Sequence, residues 1–144
     1  MSSSPPVTKI AIDDLCEASL YTQRTILLEF FRHAVSEAED TALAQKIYQA
    51  AKQLFAANAQ TTFDILFCVT RLGHSSQHAG HEARVIYRKL YEHPQTRRMA
   101  IVHQNSFINI IISHFADVLN RFSTKKDSLK YFSKRDDALI WLSS

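Results

Sequence analysis

Residues 97–119, with the sequence RRMAIVHQNSFINIIISHFADVL, join a short apolar run to a segment with helical periodicity. The run 99–102 stands between two arginines and a polar stretch, a pattern typical of a strand covered on both faces. Asn105 or Ser106 is suited to accept the first free N–H groups of a following helix. Over 107–119 apolar side chains recur at helical spacing, which predicts a helix that lies against a sheet.

The first part of the chain contains two segments rich in aromatic and branched residues, 18–22 and 25–35. Their composition predicts a β-hairpin with its turn at 23–24. Acidic residues then precede an alanine-rich stretch with amphipathic spacing, as at the start of a helix. We expect this helix to begin near Glu37 and to end near Asn58.

Further strands and helices alternate along the rest of the chain. A second apolar run, 63–70, predicts another strand buried on both faces. Helical periodicity resumes over 79–91 and stops before Pro94. A short strand at 129–132 and a terminal helix capped by Ser133 complete the series.

The resulting order is β-β-α-β-α-β-α-β-α, the pattern of an α/β protein. It predicts a single domain with a mixed, mainly parallel sheet of about five strands and helices packed on it. The domain is expected to span 9–144, after a flexible, serine- and proline-rich leader at 1–8. An exposed edge of the hairpin would allow a homodimer.

Composition narrows the class of protein further. The formal charge of +3 arises from 17 basic and 14 acidic residues, and the basic ones are scattered in pairs, which favours a mildly basic surface over a nucleic-acid interface. Cys16 and Cys68 are far apart in sequence, and two such cysteines cannot build a disulfide framework or a zinc motif. Cys68, inside an apolar run, is expected to be a buried free thiol. Without a signal peptide or a long apolar run, the chain is expected to be cytoplasmic and to have no membrane span.

The second half of the chain, about residues 60–143, resembles the family of small bacterial domains with the SpoIIAA-like fold, relatives of the STAS domain of anti-sigma-factor antagonists. The resemblance rests on the order and spacing of segments more than on any one motif. The matching segments are the strand 63–69, the helix 82–87, the strand 99–102 with Asn105, Ser106 and Phe107 after it, and the ending 130–133 with 137–142. The first half fits the family in outline, as paired strands followed by a helix.

The loop 71–80 holds both glycines of the protein and is the most irregular segment predicted. A STAS domain carries an Asp-Ser-Ser-Gly type turn at the corresponding place, where a partner kinase phosphorylates a serine. Here the turn reads Gly73, His74, Ser75, Ser76, Gln77, His78. It keeps two serines but lacks the preceding acid and the following glycine. The resemblance therefore implies a regulatory loop in which Ser75 or Ser76 is the residue to test.

His74, His78, His81 and Glu82 form the densest group of metal-ligand residue types in the sequence. Spacings of four and three would place the histidines on one face of a helix, with a further ligand from His103 or His33. The alternative is a polar, solvent-facing loop and helix start, which we favour. No metal or other cofactor is predicted.

A second candidate site for a ligand or partner follows the strand 99–102. His103, Asn105 and Ser106 would lie near the carboxyl end of that strand, where open α/β sheets bind ligands. The simpler alternative is that Asn105 or Ser106 caps the next helix and that His103 is a surface histidine.

These features favour a non-enzymatic regulatory or protein-interaction module of STAS-like type, in bacterial signalling, with an unidentified protein partner. It would use the loop 71–80 and the helix face that begins at Glu82. One alternative is a carrier of a small apolar or lipid-like ligand, bound between the sheet and the helix 107–119. A second is a serine hydrolase, which would need a serine held by a histidine; no nucleophile motif supports it.

Overall fold

The computed structural model describes residues 8–12, 14–21, 24–31, 36–69, 81–102 and 128–144. Within these ranges the structure contains six strands in one sheet and three helices. The strands are β1 (Thr8–Ile12), β2 (Cys16–Leu20), β3 (Thr25–Phe30), β4 (Phe63–Cys68), β5 (Thr96–Val102) and β6 (Leu129–Phe132). The helices are α1 (Glu37–Ala57), α2 (His81–Glu92) and α3 (Arg135–Ser143). The predicted loop 71–80 and the predicted helix 107–119 lie outside the described residues.

The six strands are hydrogen-bonded in sequence order, β1-β2-β3-β4-β5-β6. The first three pair antiparallel, and β3 to β6 pair parallel. This confirms the predicted α/β class, with a mainly parallel sheet and a hairpin at its start. Strand β1 was not among the predicted elements. In the described sheet it pairs with the outer side of the hairpin, so β2 is not an edge strand.

The central strands are buried on both faces, as their continuous apolar runs predicted. All six residues of β4 are buried, and so are the last four of β5. Alternation along each strand separates two cores. The first contains Ile65, Phe67, Met99 and Ile101, and the second contains Leu66, Cys68, Ala100 and Val102.

Helices α1 and α2 cover the first core, and α1 begins and ends close to the residues predicted from sequence. The backbone N–H of Glu39 donates to Ser36 Oγ at 3.1 Å, which makes Ser36 the N-cap. The acidic residues in the first turn stabilise the helix, because they interact with the positive end of its dipole. The buried face of α1 consists of Leu43, Ala44, Ile47, Ala50, Ala51 and Phe55.

Helix α3 covers the second core through Ala138 and Leu142. The predicted N-cap was wrong: the cap residue is Lys134, one residue after Ser133. Lys134 has an extended backbone and makes no side-chain capping hydrogen bond. Two acids in the first helical turn instead interact favourably with the positive end of the helix dipole. Trp141 fixes the other end of α3, because the Arg98 guanidinium lies 5.0 Å from its ring centroid.

A single side chain ties the end of α1 to the start of β5. Gln95 Nε2 lies 3.0 Å from the carbonyl oxygens of Phe55, Asn58 and Thr61. Its two hydrogens are therefore shared among three acceptors. They add to the backbone hydrogen bonds already made there, since Phe55 O also accepts the N–H of Asn58, and Asn58 O that of Thr61.

Candidate functional site

The parallel strands end together at one edge of the sheet, which we call the carboxyl edge. Glu29, Cys68, Val102 and Phe132 stand side by side in the register of β3 to β6. The predicted loop 71–80 follows β4, and the predicted site residues 103–106 follow β5. Both segments therefore leave the sheet at the edge where α/β proteins commonly bind ligands.

The last described residues before the two predicted segments are hydrogen-bonded to each other. The backbone N–H of Val69 donates to Val102 O at 3.0 Å. Of the predicted site residues, His81 is the first residue of α2. The others lie outside the described residues: Gly73, His74, Ser75, Ser76, His78, His103, Asn105 and Ser106. Their roles remain predictions.

On the α3 side of the carboxyl edge, an arginine joins two strands. Arg135 Nη2 lies 3.3 Å from Glu29 Oε2 and 3.2 Å from Cys68 Sγ. The hydrogen bond to Cys68 raises the pKa of Arg135, and the contact with Glu29 adds to this, so the guanidinium is charged at any physiological pH. Cys68 is buried and not disulfide-bonded, as predicted. Since Arg135 is the first residue of α3, these contacts fix the start of that helix.

This contact was not predicted, although the sequence carries a signal for it. Glu29 is the only charged residue of β3, and a carboxylate in an otherwise buried strand requires a cation or hydrogen-bond donors nearby. Arg135 was counted only among the scattered basic pairs. It is separated from Glu29 by 106 residues, so only the folded sheet identifies it as the partner.

On the other side of the sheet, three aromatic rings lie in contact near the same edge. Phe30 and Phe67 are stacked with their centroids 6.0 Å apart, and Tyr87 of α2 meets Phe67 edge-on at 5.6 Å. Tyr87 is half-buried, and burial of its hydroxyl raises its pKa well above the ordinary value of 10.0. Nearby Asp40 and Cys16 raise this pKa further.

The raised pKa of Tyr87 predicts a loss of stability at alkaline pH. Because the folded chain holds Tyr87 neutral, its contribution is complete below about pH 10, the unfolded pKa, and falls as the pH rises toward the folded pKa. The Tyr87→Phe variant, which has no hydroxyl to ionise, should lose less stability than the wild type above about pH 10. Urea unfolding at a series of pH values measures this difference. Equal alkaline losses in the two proteins would contradict the prediction.

Helix α2 presents a charged outer face directly after the predicted loop 71–80. Its inner residues Ala83, Leu90 and Tyr91 are buried. Its outer face carries an exposed apolar residue, Val85, which is 39% exposed. The charged residues that are exposed on this helix are Glu82, Arg84, Arg88 and Lys89.

The described ranges contain neither a cluster of metal-ligand side chains nor a helix that could cross a membrane. Those residues contain no group of three or more histidine, cysteine, aspartate or glutamate side chains that could hold a metal ion. The predicted histidine group at 74–81 falls mainly outside these ranges. In the same described part of the chain, no helix combines the length and the apolar character that crossing a bilayer requires.

Sheet order and helix placement define the class as an α/β domain with a mixed sheet, and comparison with known proteins specifies the fold. The chain is similar to a solved structure described as an uncharacterized protein from the DUF3478 family with a SpoIIAA-like fold, from Shewanella loihica PV-4. The TM-score is 0.52 and the sequence identity 19%, over 99% of both chains. The chain therefore has a SpoIIAA-like fold, as the resemblance implied. At this identity the similarity establishes the fold and not the function. No protein-family model and no curated protein matches the chain.

Proposed function

We propose that this protein is a non-enzymatic regulatory module of STAS-like type, acting in the cytoplasm, that binds a protein partner. The interaction surface consists of the loop 71–80 and the outer face of α2. The observation that carries the proposal is the exposed Val85, which has exposed charged side chains as its neighbours on α2. An apolar centre with a charged rim is the usual composition of a protein–protein contact.

Regulation of this surface is proposed through Ser75 or Ser76. A phosphate group adds a charge of roughly −1.5 to −2 at neutral pH. The serines precede α2 by only a few residues, and the outer face of that helix carries Arg84, Arg88 and Lys89. A new negative charge next to a basic face would change which partner the face attracts.

A second candidate function is a carrier of a small apolar or lipid-like ligand, with its site between the sheet and the predicted helix 107–119, which lies outside the described residues. A serine hydrolase would require Ser75, Ser76 or Ser106 within hydrogen-bond reach of a histidine. Those serines lie outside the described residues, so catalysis has no geometric support in the described part of the chain.

Native mass spectrometry of the protein purified from its own host tests the proposal. We expect a complex with a second protein that is retained by Ser133→Asp but weakened by Val85→Asp and by Ser75→Asp with Ser76→Asp. Ser133→Asp is the control, because it adds a charge at an exposed serine outside the loop. A small bound mass that disappears on denaturation, without a partner protein, would contradict the regulatory function and support the carrier.

A further inference from the structure

Helix α3 carries the most exposed large apolar side chain of the described residues. Ile140 is 69% exposed. Asp136 and Asp137, both exposed, stand four and three positions before it. Residues at these spacings are neighbours on the surface of a helix. The outer face of α3 therefore carries an apolar side chain and, one turn closer to the amino end of the helix, two carboxylates.

Helix α2 carries the same arrangement with the opposite charge and the opposite order. Val85 is the exposed apolar residue, and Arg88 and Lys89 follow it by three and four positions. The apolar residue thus precedes the charges in α2 and follows them in α3. If the two helices lie antiparallel with Val85 against Ile140, the cations of α2 lie against the carboxylates of α3. In each helix the charged residues are one turn, about 5 Å, from the apolar residue.

The two faces cannot meet within one chain, because the helices pack on opposite sides of the sheet. Leu90 and Tyr91 of α2 belong to the first core, whereas Ala138 and Leu142 of α3 belong to the second. The complementary surfaces therefore point away from each other, and a contact between them requires a second molecule.

We propose that this chain associates with itself, the outer face of α2 of one copy docking antiparallel on the outer face of α3 of another. The inference rests on the proposed function, since it takes the α2 face as an interaction surface and names a second copy as its partner. Arg88 Nε also lies 3.5 Å from Glu92 Oε2 in α2, in a partly exposed pair one helical turn apart. Such pairs contribute little to stability, so rearranging this one costs little.

This mode of association has two consequences. The contact joins different surfaces, so each added copy leaves one α2 face and one α3 face available, and assembly is open-ended. The interface centres on two apolar side chains and is small, so we expect a weak dissociation constant, on the order of 0.1–1 mM. Raising the salt concentration should weaken it further, because the Debye length shrinks from about 10 Å at 0.1 M to about 3 Å at 1 M.

Sedimentation velocity of the full chain, from about 10 µM to about 1 mM, tests the proposal. The average mass should rise with protein concentration and fall with salt. Asp136→Lys with Asp137→Lys, and separately Arg88→Glu with Lys89→Glu, should each weaken association at least about tenfold, because like charges then face each other. Combining all four changes reverses both faces, keeps the formal net charge of +3, and should restore association.

Two controls separate the contact from folding and from net charge. Glu37→Lys reverses one exposed acid in the first turn of α1, a change of the same kind as each of the two reversals in the α3 variant. It should associate like the wild type. Ile140→Ser removes the apolar contact at a site that is largely exposed, and should weaken association without lowering the melting temperature.

A wild-type chain that stays monomeric over this concentration range would overturn the proposal, and so would a fourfold variant that stays monomeric. These results are distinct from failure of the proposed function. If self-association is absent while a host protein is still captured through Val85, only the identity of the partner is wrong. If the chains associate but no variant of the loop or of Val85 changes capture of another protein, the self-association stands alone.

Discussion

The Arg97→Ala variant is expected to lose about 2–4 kcal/mol of its free energy of unfolding. This loss is smaller than that expected from breaking a fully buried ion pair, because Arg97 is partly exposed. Asp64 lies in the central strand β4 and is only 6% exposed. Arg97 Nε and Nη2 donate to its two carboxylate oxygens, each at 2.9 Å. This bidentate pair raises the pKa of Arg97. Removing the guanidinium leaves a buried carboxylate without its cation, which is more costly than losing an exposed ion pair.

Arg97 also connects the sheet to the end of α3, since it donates to the carbonyl oxygens of Leu142 and Ser144. Urea unfolding measures the total effect. The matched control is Arg98→Ala, which removes the neighbouring arginine. Arg98 donates to Trp141 O at 2.5 Å and to Ser144 Oγ at 2.7 Å, and it lies over the Trp141 ring. It pairs with no buried acid in the described structure, so we expect a loss of about 1–2 kcal/mol.

A double-mutant cycle isolates the ion pair from the other contacts. Asp64→Ala with Arg97→Ala should lose less stability than the sum of the single variants, because the second change removes a group that the first has already left unpaired. If Arg97→Ala lost no more stability than Arg98→Ala, the buried pair would not be the main contribution of Arg97.

The sequence was sufficient to predict those elements whose burial is continuous or periodic. β4 and β5 were recognised because each is an apolar run bounded by polar residues, and such runs suit strands between two layers. Helix α1 was recognised from its first-turn acids and apolar spacing. These signals are local, so one sequence contains all the information that the prediction needs.

Features that depend on pairing between distant residues were not predicted. β1 is short, and its place is defined by hydrogen bonds to β2 rather than by its own pattern. Ser133 was chosen as a cap by residue type, whereas the chain actually enters α3 at Lys134. The partners of Asp64 and Glu29 are 33 and 106 residues away. A lone acid in a buried strand shows that a partner is needed, but only the sheet register shows which one.

For the candidate site, the sequence indicated the carboxyl edge of the sheet but not the side-chain contacts found there. Loops after parallel strands leave the sheet at one edge, and a hydrogen bond there joins Val69 to Val102, the last described residues before the two predicted segments. The charged contact of Arg135 with Cys68 and Glu29 was not predicted, because a helix on the second face supplies the arginine.

Phe67→Ala is expected to lower the free energy of unfolding by about 3–5 kcal/mol, a large part of the 5–15 kcal/mol typical of a domain. Phe67 is buried in the first core, and its ring touches Phe30 and Tyr87. Truncation therefore leaves a cavity and also removes the ring on which Tyr87 of α2 rests. Urea unfolding measures the global loss, and Phe67→Leu, with a smaller expected loss, provides a variant that remains folded for further measurements.

The matched control is Phe63→Leu, at the other end of the same strand. Phe63 is also buried, but its ring contacts Phe55 near the end of α1, at 5.6 Å between centroids. Hydrogen exchange should distinguish the variants, because local opening follows the contacts that are lost. Phe67→Leu should speed exchange mainly in α2, and Phe63→Leu mainly in the last turns of α1. If both variants sped exchange equally in both helices, Phe67 would contribute only to the common core. The surface of α2 proposed for binding would then not depend on the aromatic contact beneath it.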